Sequence, residues 1–500
     1  MGYELIAAVD LGSNSFRLQV GRVVDDQIYP LDGLKESVRL AAGLTPHKTL
    51  DGASQLRALE ALARFSERLR GFEPGAVRAV ATNTLRVAKN APQFLVQAEA
   101  ALGFPIEVIG GREEARLIYV GVAHTLPDPA RQQLVVDIGG GSTEFIIGRN
   151  FEPLALESLY MGCVGFSLRY FPDGRIDKRG LREAELAARR ELQAIAHEYR
   201  QIGWELAVAS SGSAKALVDL LYENGWAADG ITRDGMERLR AQLLRAGHVS
   251  RIELAGMKPD RIPVLMGGFA IMSGVLQQFN LEHMTFSEGA LRLGVLYDLL
   301  GRYHHHDLRT ATVKQFMRRY QVDPRQAERV TETALALYHQ LVPGAGDGEQ
   351  RDVQMLNWAG RLHEIGISVA HTGYHKHSAY ILGNADMPGF SRRDQTRLAR
   401  IVLGHRGKLE RVLALDPLPE DWLLIFCLRL AALAHRARDE SSRPPLAVSR
   451  TPNGFQVQVD AAWMANSPLT SAALEDESRQ WASAGRELRV RARHEGPQPA

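Results

Sequence analysis

Two rhythms of hydrophobic positions run along the chain. Up to about residue 303, short β-branched runs alternate with stretches of helical period; beyond it, long helical patterns dominate. The sharpest short run is Leu134-Val-Val-Asp-Ile138. Three glycines, Ser142, Thr143 and Glu144 follow, and then a second apolar run, Phe145-Ile-Ile147. This pattern predicts strand, tight turn, strand. Residues 9–22 align without gaps onto residues 136–149, an offset of 127 residues, which predicts two similar domains that each open on such a hairpin. In the first domain, 37–41 and 106–109 read as strands and 56–69 as a helix. Residues 76–90 read as strand, polar turn and helix, and 112–123 as a helix that follows Gly110-Gly111. In the second, 181–199 is an amphipathic helix and 206–217 is strand, small-residue turn, helix. The stretch 260–272 enters a helix through Gly267-Gly268, and 286–296 gives a turn and a closing helix.

Strands and helices in alternation make the class α/β. The expected division is 1–126, 127–303 and a helical C-terminal domain, 304–500. In that last part helices are expected over 312–320, 324–341, 350–363, 392–403 and 422–435, with a loop at 343–348. A hairpin through Asn453-Gly454 is expected near the end, and a disordered tail from about Glu495.

Composition narrows the picture. The 500 residues are 45% hydrophobic and 24% charged, with a net charge of +2, so the whole is no polycation; any polyanion needs a local patch, and nucleic acid is not expected as a partner. Cys163 and Cys427 are the two cysteines, which excludes a disulfide framework and fits a reducing cytoplasm. The N-terminus carries no signal-peptide pattern, and the most apolar helix candidate, 423–435, is short and holds Arg429, so no membrane span is expected.

The chemistry concentrates in the turns. Gly139, Gly140 and Gly141 lack Cβ atoms, so their N–H groups can converge on an anion, and Ser142 and Thr143 add hydroxyls. Asp137 and Glu144 place hard oxygen ligands at the two ends of that turn, a combination that suits a phosphate bridged to Mg²⁺. The repeat puts Gly12, Ser13, Asn14 and Ser15 at the matching tip. Thr82 and Asn83 at a helix start with Arg86, and Ser211, Gly212 and Ser213 at another, are further candidate anion contacts. Glu113 and Glu114 are adjacent in a helix, where neighbours point about 100° apart, so one of the two can face a given site; periodicity does not choose between them. In the C-terminal part, Arg392, Arg393, Arg397, Arg400, Arg406, Lys408 and Arg411 form either a solvated helix face or a track for a polyanion. His304-His305-His306 reads as an exposed interdomain segment.

Val9-Asp-Leu-Gly-Ser-Asn-Ser-Phe-Arg-Leu18, Ala81-Thr-Asn-Thr-Leu-Arg86, Gly110-Gly-Arg-Glu-Glu-Ala-Arg-Leu-Ile118, Asp137-Ile-Gly-Gly-Gly-Ser-Thr-Glu144, Met161-Gly-Cys-Val164 and His375-Lys-His-Ser-Ala-Tyr-Ile-Leu382 together resemble the exopolyphosphatase and guanosine pentaphosphate phosphatase family. The resemblance covers nearly the whole chain. It implies a pair of actin-like (ribonuclease-H-like) domains with the active site in the cleft between them. It also implies release of terminal phosphates from inorganic polyphosphate or, alternatively, from guanosine pentaphosphate. The implied cofactor is Mg²⁺, with a monovalent cation as a further stimulant, and the implied assembly is a homodimer. It further implies Glu114 as the general base, Asp137 and Glu144 as essential acidic residues and Arg86 as a phosphate-binding arginine. Exopolyphosphatase is the first expectation; rival readings are a kinase of the actin-like superfamily and a non-catalytic sensor. His363-Glu364, with histidines on either side, is similar to the HD metal-phosphohydrolase pattern, but Glu364 stands where the metal-binding Asp belongs, which implies a C-terminal domain that binds and does not cleave.

Overall fold

The computed structural model describes residues 3–24, 27–128, 130–303, 308–343, 347–385, 387–415, 417–438 and 446–493. Residues 1–307 make one compact unit and 308–500 another. The histidine run at 304–306 and the tail from Glu495 lie outside the described residues.

The first half of the N-terminal unit runs β1 (Leu5–Leu11), β2 (Phe16–Val24), β3 (Gln27–Glu36), α1 (Gly52–Arg68), β4 (Val77–Ala81), α2 (Asn83–Val87), α3 (Ala91–Leu102), β5 (Ile106–Val108) and α4 (Gly111–Ala123). The second half runs β6 (Gln133–Ile138), β7 (Thr143–Arg149), β8 (Glu152–Leu159), α5 (Cys163–Tyr170), α6 (Lys178–Ile202), β9 (Leu206–Ser210), α7 (Ser211–Glu223), β10 (Ile231–Thr232), α8 (Arg233–Ala246), α9 (Ile262–Phe279), β11 (His283–Phe286) and α10 (Leu291–Tyr303). One sheet has the order β3-β2-β1-β4-β5; the other, β10-β11-β9-β6-β7-β8, repeats it strand for strand and adds β10. In both, an antiparallel three-strand meander continues into parallel strands. The repeat read from one hairpin therefore extends to whole domains, and the fold is the actin-like pair.

The central strands are buried on both faces, which is why they read as unbroken apolar runs and not as alternation. Ala7, Ala8 and Val9 of β1 and Leu134, Val135 and Val136 of β6 are fully buried. Val9 and Leu11 pack against Leu62, Phe65 and Phe94 of α1 and α3. Ile6, Ala8 and Val80 share a core with Leu117, Val122, Val135, Ile146, Val295 and Leu299. That shared core lies where α4 and α10 cross. α4 packs on β7 and β8 of the second sheet, and α10 packs on β1 and β2 of the first, so each half closes on its neighbour. A boundary drawn at residue 126 follows the chain but not this exchange.

Local expectations fail where packing overrides pattern. Residues 37–39 are outside any strand, and Leu40–Gly43 is a 3₁₀ turn. The N–H groups of Arg39 and Ala41 bond to the carbonyls of Asn14 and Ser13, so this segment clamps the first hairpin tip. α9 starts at Ile262 and continues through both glycines. It is long and apolar enough to cross a membrane by length and composition, but 78% of it is buried inside the second domain, against α5, α6 and α7.

The C-terminal unit comprises α11 (Leu308–Arg319), α12 (Pro324–Leu341), α13 (Asp347–Leu362), α14 (Tyr374–Asn384), α15 (Arg392–Gly404), α16 (Glu410–Leu413), α17 (Pro419–Ala434), β12 (Leu446–Thr451), β13 (Gly454–Asp460), α18 (Ala461–Asn466), α19 (Pro468–Ser483) and β14 (Glu487–Arg493). The expected hairpin is β12–β13; β14 adds a parallel third strand that the sequence pattern does not announce. Much of the basic stretch is spent internally. Arg397 and Arg400 each reach the fully buried Asp421 at 2.7 Å, and Arg397 also reaches Asp352 at 2.8 Å. These two arginines are therefore no part of a polyanion track. Glu364 pairs with Arg438, and among the described residues no three His, Cys, Asp or Glu side chains are grouped to hold a metal ion.

A buried ionic network joins the two halves of the N-terminal unit. Arg116 of α4 forks onto Glu113 at 2.8 Å through two nitrogens and reaches Asp298 of α10 at 2.5 Å; Arg78 of β4 reaches Asp298 at 2.7 Å and Glu107 at 3.0 Å. Arg116→Met leaves two buried carboxylates short of a partner and should cost about 3–5 kcal/mol. Urea denaturation tests this, and a loss under about 1 kcal/mol would contradict the role given to the network.

Candidate active site

The two hairpin turns meet. A Cβ built on Gly140 would lie 3.0 Å from the Ser13 Cβ and 3.1 Å from the Asn14 nitrogen, so only a residue without one lets the tips approach this closely. Beneath them lies a cavity of about 350 Å³, lined from both domains. Of the expected site residues, Gly12, Ser13, Asn14, Ser15, Thr82, Glu114, Asp137, Gly139, Gly140, Gly141, Ser142, Glu144, Ser211, Gly212 and Ser213 line it.

Three expected contacts sit elsewhere, each for a visible reason. Thr143 is fully buried and its hydroxyl donates to the Met161 carbonyl at 2.5 Å, inside the hairpin's own framework. Asn83 is behind the second tip, its Oδ1 against Gly141. Arg86 faces Glu114: its Nη1 donates to Glu114 Oε2 at 3.2 Å and to the Ile109 carbonyl at 3.0 Å. Two further groups line the cavity with their polar atoms already engaged. The Gly139 N–H donates to the Ser142 carbonyl at 2.9 Å, and the Ser211 hydroxyl donates to the Ile138 carbonyl at 3.0 Å. Among the described residues, the N–H groups of Ser13, Asn14, Gly140 and Gly141 have no protein acceptor.

The geometry separates the two adjacent glutamates. Glu113 points back into the Arg116–Asp298 network, and Glu114 points into the cavity. There it joins Asp10, Asp137 and Glu144. Burial pushes the Glu114 carboxyl up to about 7, opposed by Arg86 and assisted by Asp10 and Asp137. Burial also lifts Asp137 to about 6, with Ser210 opposing and Asp10 assisting. Glu144 is raised well above its ordinary range by burial and then by Glu114 and Asp137, although Ser158 donates a hydrogen bond to it at 2.8 Å. Asp10 is raised by burial against the pull of Arg292 and Arg17, and its Oδ1 is buried without a hydrogen-bond partner. An acidic cluster with an orphaned oxygen suits a hard divalent cation, which uses one or two carboxylates and keeps room for water and phosphate oxygens.

Several lining residues carry no motif signal of their own. Asp10 could have been found from the repeat, because it occupies the place of Asp137. In the same register Arg17 stands opposite Asp10 as Glu144 stands opposite Asp137. The duplicated hairpin is therefore inverted in charge at one position. Arg261 and Arg292 arrive from the starts of α9 and α10, distant in sequence from either turn, and Lys215 and Phe286 complete that wall. Burial, Arg292 and Arg261 together lower Arg17 to about 10, against the pull of Asp10 and Asp137.

The repulsion among the carboxylates has a measurable sign. Because Glu144 titrates higher in the folded state than in the unfolded chain, folding is penalised once pH rises past the unfolded carboxyl range of about 4.5. Glu144→Gln should therefore raise the melting temperature at pH 8 without divalent cations and leave it unchanged near pH 4, at about 2–4 °C per kcal/mol relieved. A variant less stable than wild type at pH 8 would contradict the repulsion.

The profile of the Ppx/GppA phosphatase family matches residues 19–303, and that of Ppx/GppA phosphatase, domain III, matches residues 308–478. A guanosine-5'-triphosphate,3'-diphosphate pyrophosphatase of Vibrio cholerae is 36% identical over 494 residues, 97% of this chain and 98% of the relative. One of Pseudoalteromonas translucida is 36% identical over 491 residues, with the same 97% and 98% coverage. Among solved structures, an exopolyphosphatase from Cytophaga hutchinsonii superposes with a TM-score of 0.54 at 25% identity, covering 60% of this chain and 98% of its own. The Aquifex aeolicus PPX-GPPA enzyme shares the fold at a TM-score of 0.50 and 24% identity, covering 59% and 98%. Matched over most of its length in this way, the chain belongs to the Ppx/GppA phosphatase family and is a phosphoanhydride hydrolase.

Proposed function

We propose that this protein removes the terminal 5′ phosphate of guanosine pentaphosphate, with Mg²⁺, and that polyphosphate is at most a second substrate. The observation that carries the choice is the nearly full-length similarity to pyrophosphatases of that nucleotide at 36% identity, against 25% for the exopolyphosphatase fold relative. It reverses the order of preference drawn from the motifs, which are shared by both activities. The cavity is compatible with a nucleoside: beside its charged groups it has an apolar flank of Ile118, Phe286 and Leu291.

In this reading the free N–H groups of Ser13, Asn14, Gly140 and Gly141 hold the terminal phosphate, and Arg17 and Arg292 offset its charge. Asp137 and Glu144 are the residues that would hold Mg²⁺, with Asp10 close to Asp137, and the ion would supply charge neutralisation at the phosphate oxygens. Glu114 takes a proton from a water as that water's oxygen forms its bond to the terminal phosphorus. The bridging P–O bond breaks, and its electrons leave with the nucleotide. Arg86 fixes one oxygen of Glu114 and leaves the other for the water. A carboxyl poised near 7 suits a base working at neutral pH. Positioning and charge stabilisation supply most of the acceleration, since phosphoryl transfer asks little covalent chemistry of the protein.

Purified protein with Mg²⁺ should release phosphate from guanosine pentaphosphate faster than from long-chain polyphosphate. Glu114→Gln should lower kcat by about 10²–10⁴-fold while nucleotide binding persists. Release from polyphosphate alone would return the assignment to exopolyphosphatase; phosphate transfer from ATP to an acceptor would make it a kinase, and binding without release a sensor. The base must be ionised to act, so kcat/KM should fall as pH drops through about 7. A profile flat from pH 8 to pH 5.5 would remove Glu114 from that role.

A further inference from the structure

Ser158 of β8 does not line the cavity and belongs to none of the motifs noted above. It is the cross-strand partner of Glu144 in the β7–β8 pair, so the two side chains leave the sheet on the same face. Its hydroxyl donates to Glu144 Oε1 at 2.8 Å, and Ser142 adds a further hydrogen bond to the same carboxyl. Glu144 Oε2 lies toward the glycine tip, where a Cβ built on Gly139 would stand 3.9 Å from it. A ligand carboxylate tied down by one oxygen keeps a fixed direction for the other.

The same serine is the seat of α4. A Cβ built on Gly111, the first residue of that helix, would lie 2.7 Å from the Ser158 Cβ and 2.9 Å from its Oγ. Carbon atoms do not pack that closely, so glycine at 111 and a small side chain at 158 are what let helix and strand meet. Beside this contact Arg112 pairs with Glu157 at 3.0 Å. Arg86 also comes to Gly111, its Nη2 3.6 Å from the same built Cβ. Three residues along the helix is Glu114, whose N–H donates to the Gly110 carbonyl at 2.9 Å and whose Oε2 accepts from Arg86 at 3.2 Å. One half-buried side chain thus touches both Glu144 and the start of the helix that carries Glu114.

We propose that Ser158 is a positioning residue for the hydrolysis: its hydroxyl aims the Glu144 carboxylate at the divalent cation, and its small size sets how near the start of α4, and with it Glu114, comes to that carboxylate. This rests on the roles given to Glu144 and Glu114 above and adds what fixes the one relative to the other. The two tasks use different atoms of one side chain, so they can be separated. Ser158→Ala removes the hydroxyl and keeps the contact with Gly111. Gly111→Ala attacks the contact, because helix and strand must then part by a distance on the order of 1 Å, a displacement that costs on the order of 10²-fold in rate. Ser158→Gly makes room for the added methyl but supplies no hydroxyl.

The test uses Ser158→Ala, Gly111→Ala and the double variant Gly111→Ala/Ser158→Gly in the full chain, with Glu144→Gln as reference. Calorimetry of Mg²⁺ into nucleotide-free protein reads the hydroxyl. Ser158→Ala should bind the ion about 10-fold more weakly than wild type, while its kcat at saturating Mg²⁺ stays within about 2-fold. Phosphate release at saturating Mg²⁺ reads the seat of the helix, on whichever of guanosine pentaphosphate and long-chain polyphosphate wild type hydrolyses. The kcat of Gly111→Ala should fall about 10²-fold, and the double variant should regain at least about 10-fold of it while its Mg²⁺ affinity stays as weak as that of Ser158→Ala. Wild-type Mg²⁺ affinity in Ser158→Ala, or a double variant no faster than Gly111→Ala, would overturn the proposal. If Glu144→Gln binds Mg²⁺ as wild type does, the metal-holding role of Glu144 fails separately, and the rescue by Ser158→Gly still decides whether this contact places Glu114.

Discussion

Four carboxylates kept out of water in one cleft repel each other, and the rest of the N-terminal unit is arranged around that fact. Asp10, Glu114, Asp137 and Glu144 all titrate above their ordinary ranges, chiefly because burial disfavours their charged forms. Nothing in their own chemistry would hold them together. What does so is rigid scaffolding: Asp10 and Asp137 lie in the buried central strands of two sheets, Glu144 in a neighbouring strand, and Glu114 in the first turn of a helix tied to the opposite domain. The Arg78–Arg116–Asp298 network and the α4–α10 crossing brace that helix from behind. A site of this kind stores electrostatic strain that a bound cation or a proton can relieve.

The duplication explains both the frame and the polarity of the site. Two hairpins of the same register present tips of the same shape, so unpaired amides flank the cavity from both sides. At one cross-strand position, however, one copy has Arg17 and the other has Glu144. That single inversion divides the cleft. One side gathers the carboxylates Asp10, Glu114, Asp137 and Glu144, and the other gathers Arg17, Arg261, Arg292 and Lys215. A symmetric cleft would present the same charge at either end; this one is polarised from carboxylates to guanidinium and ammonium groups.

Much of this was legible in the chain. The apolar runs at 134–138 and 145–147, the glycines between them and the gapless match to residues 9–22 announced the hairpins, their repetition and the actin-like pair. The glycine tips, Asp137, Glu144 and the Glu-Glu helix start were visible because local chemistry sits at local turns. The choice between Glu113 and Glu114 was not, since both have apolar neighbours at helical spacing and the deciding partner, Asp298, is 182 residues away from Arg116. Arg261 and Arg292 were hidden for the same reason: their roles come from tertiary placement. Asp10 was hidden in plain view, because the repeat already aligned it with Asp137. Thr143 lies outside the cavity lining because its hydroxyl serves the turn's own framework, Asn83 lies behind the second tip with its Nδ2 unpartnered among the described residues, and Arg86 reaches the cavity only through Glu114.

The central claim is that burial and mutual proximity raise these carboxyls, so that a divalent cation, which needs their ionised forms, displaces protons on entering. Titration calorimetry of Mg²⁺ into wild type at pH 7, repeated in buffers of different ionisation enthalpy, counts those protons directly. The account predicts net release on the order of one proton per Mg²⁺ at pH 7, diminishing as the pH rises. Binding at pH 7 with no proton released would mean that the cluster is already ionised, and the electrostatic picture of this active site would be wrong.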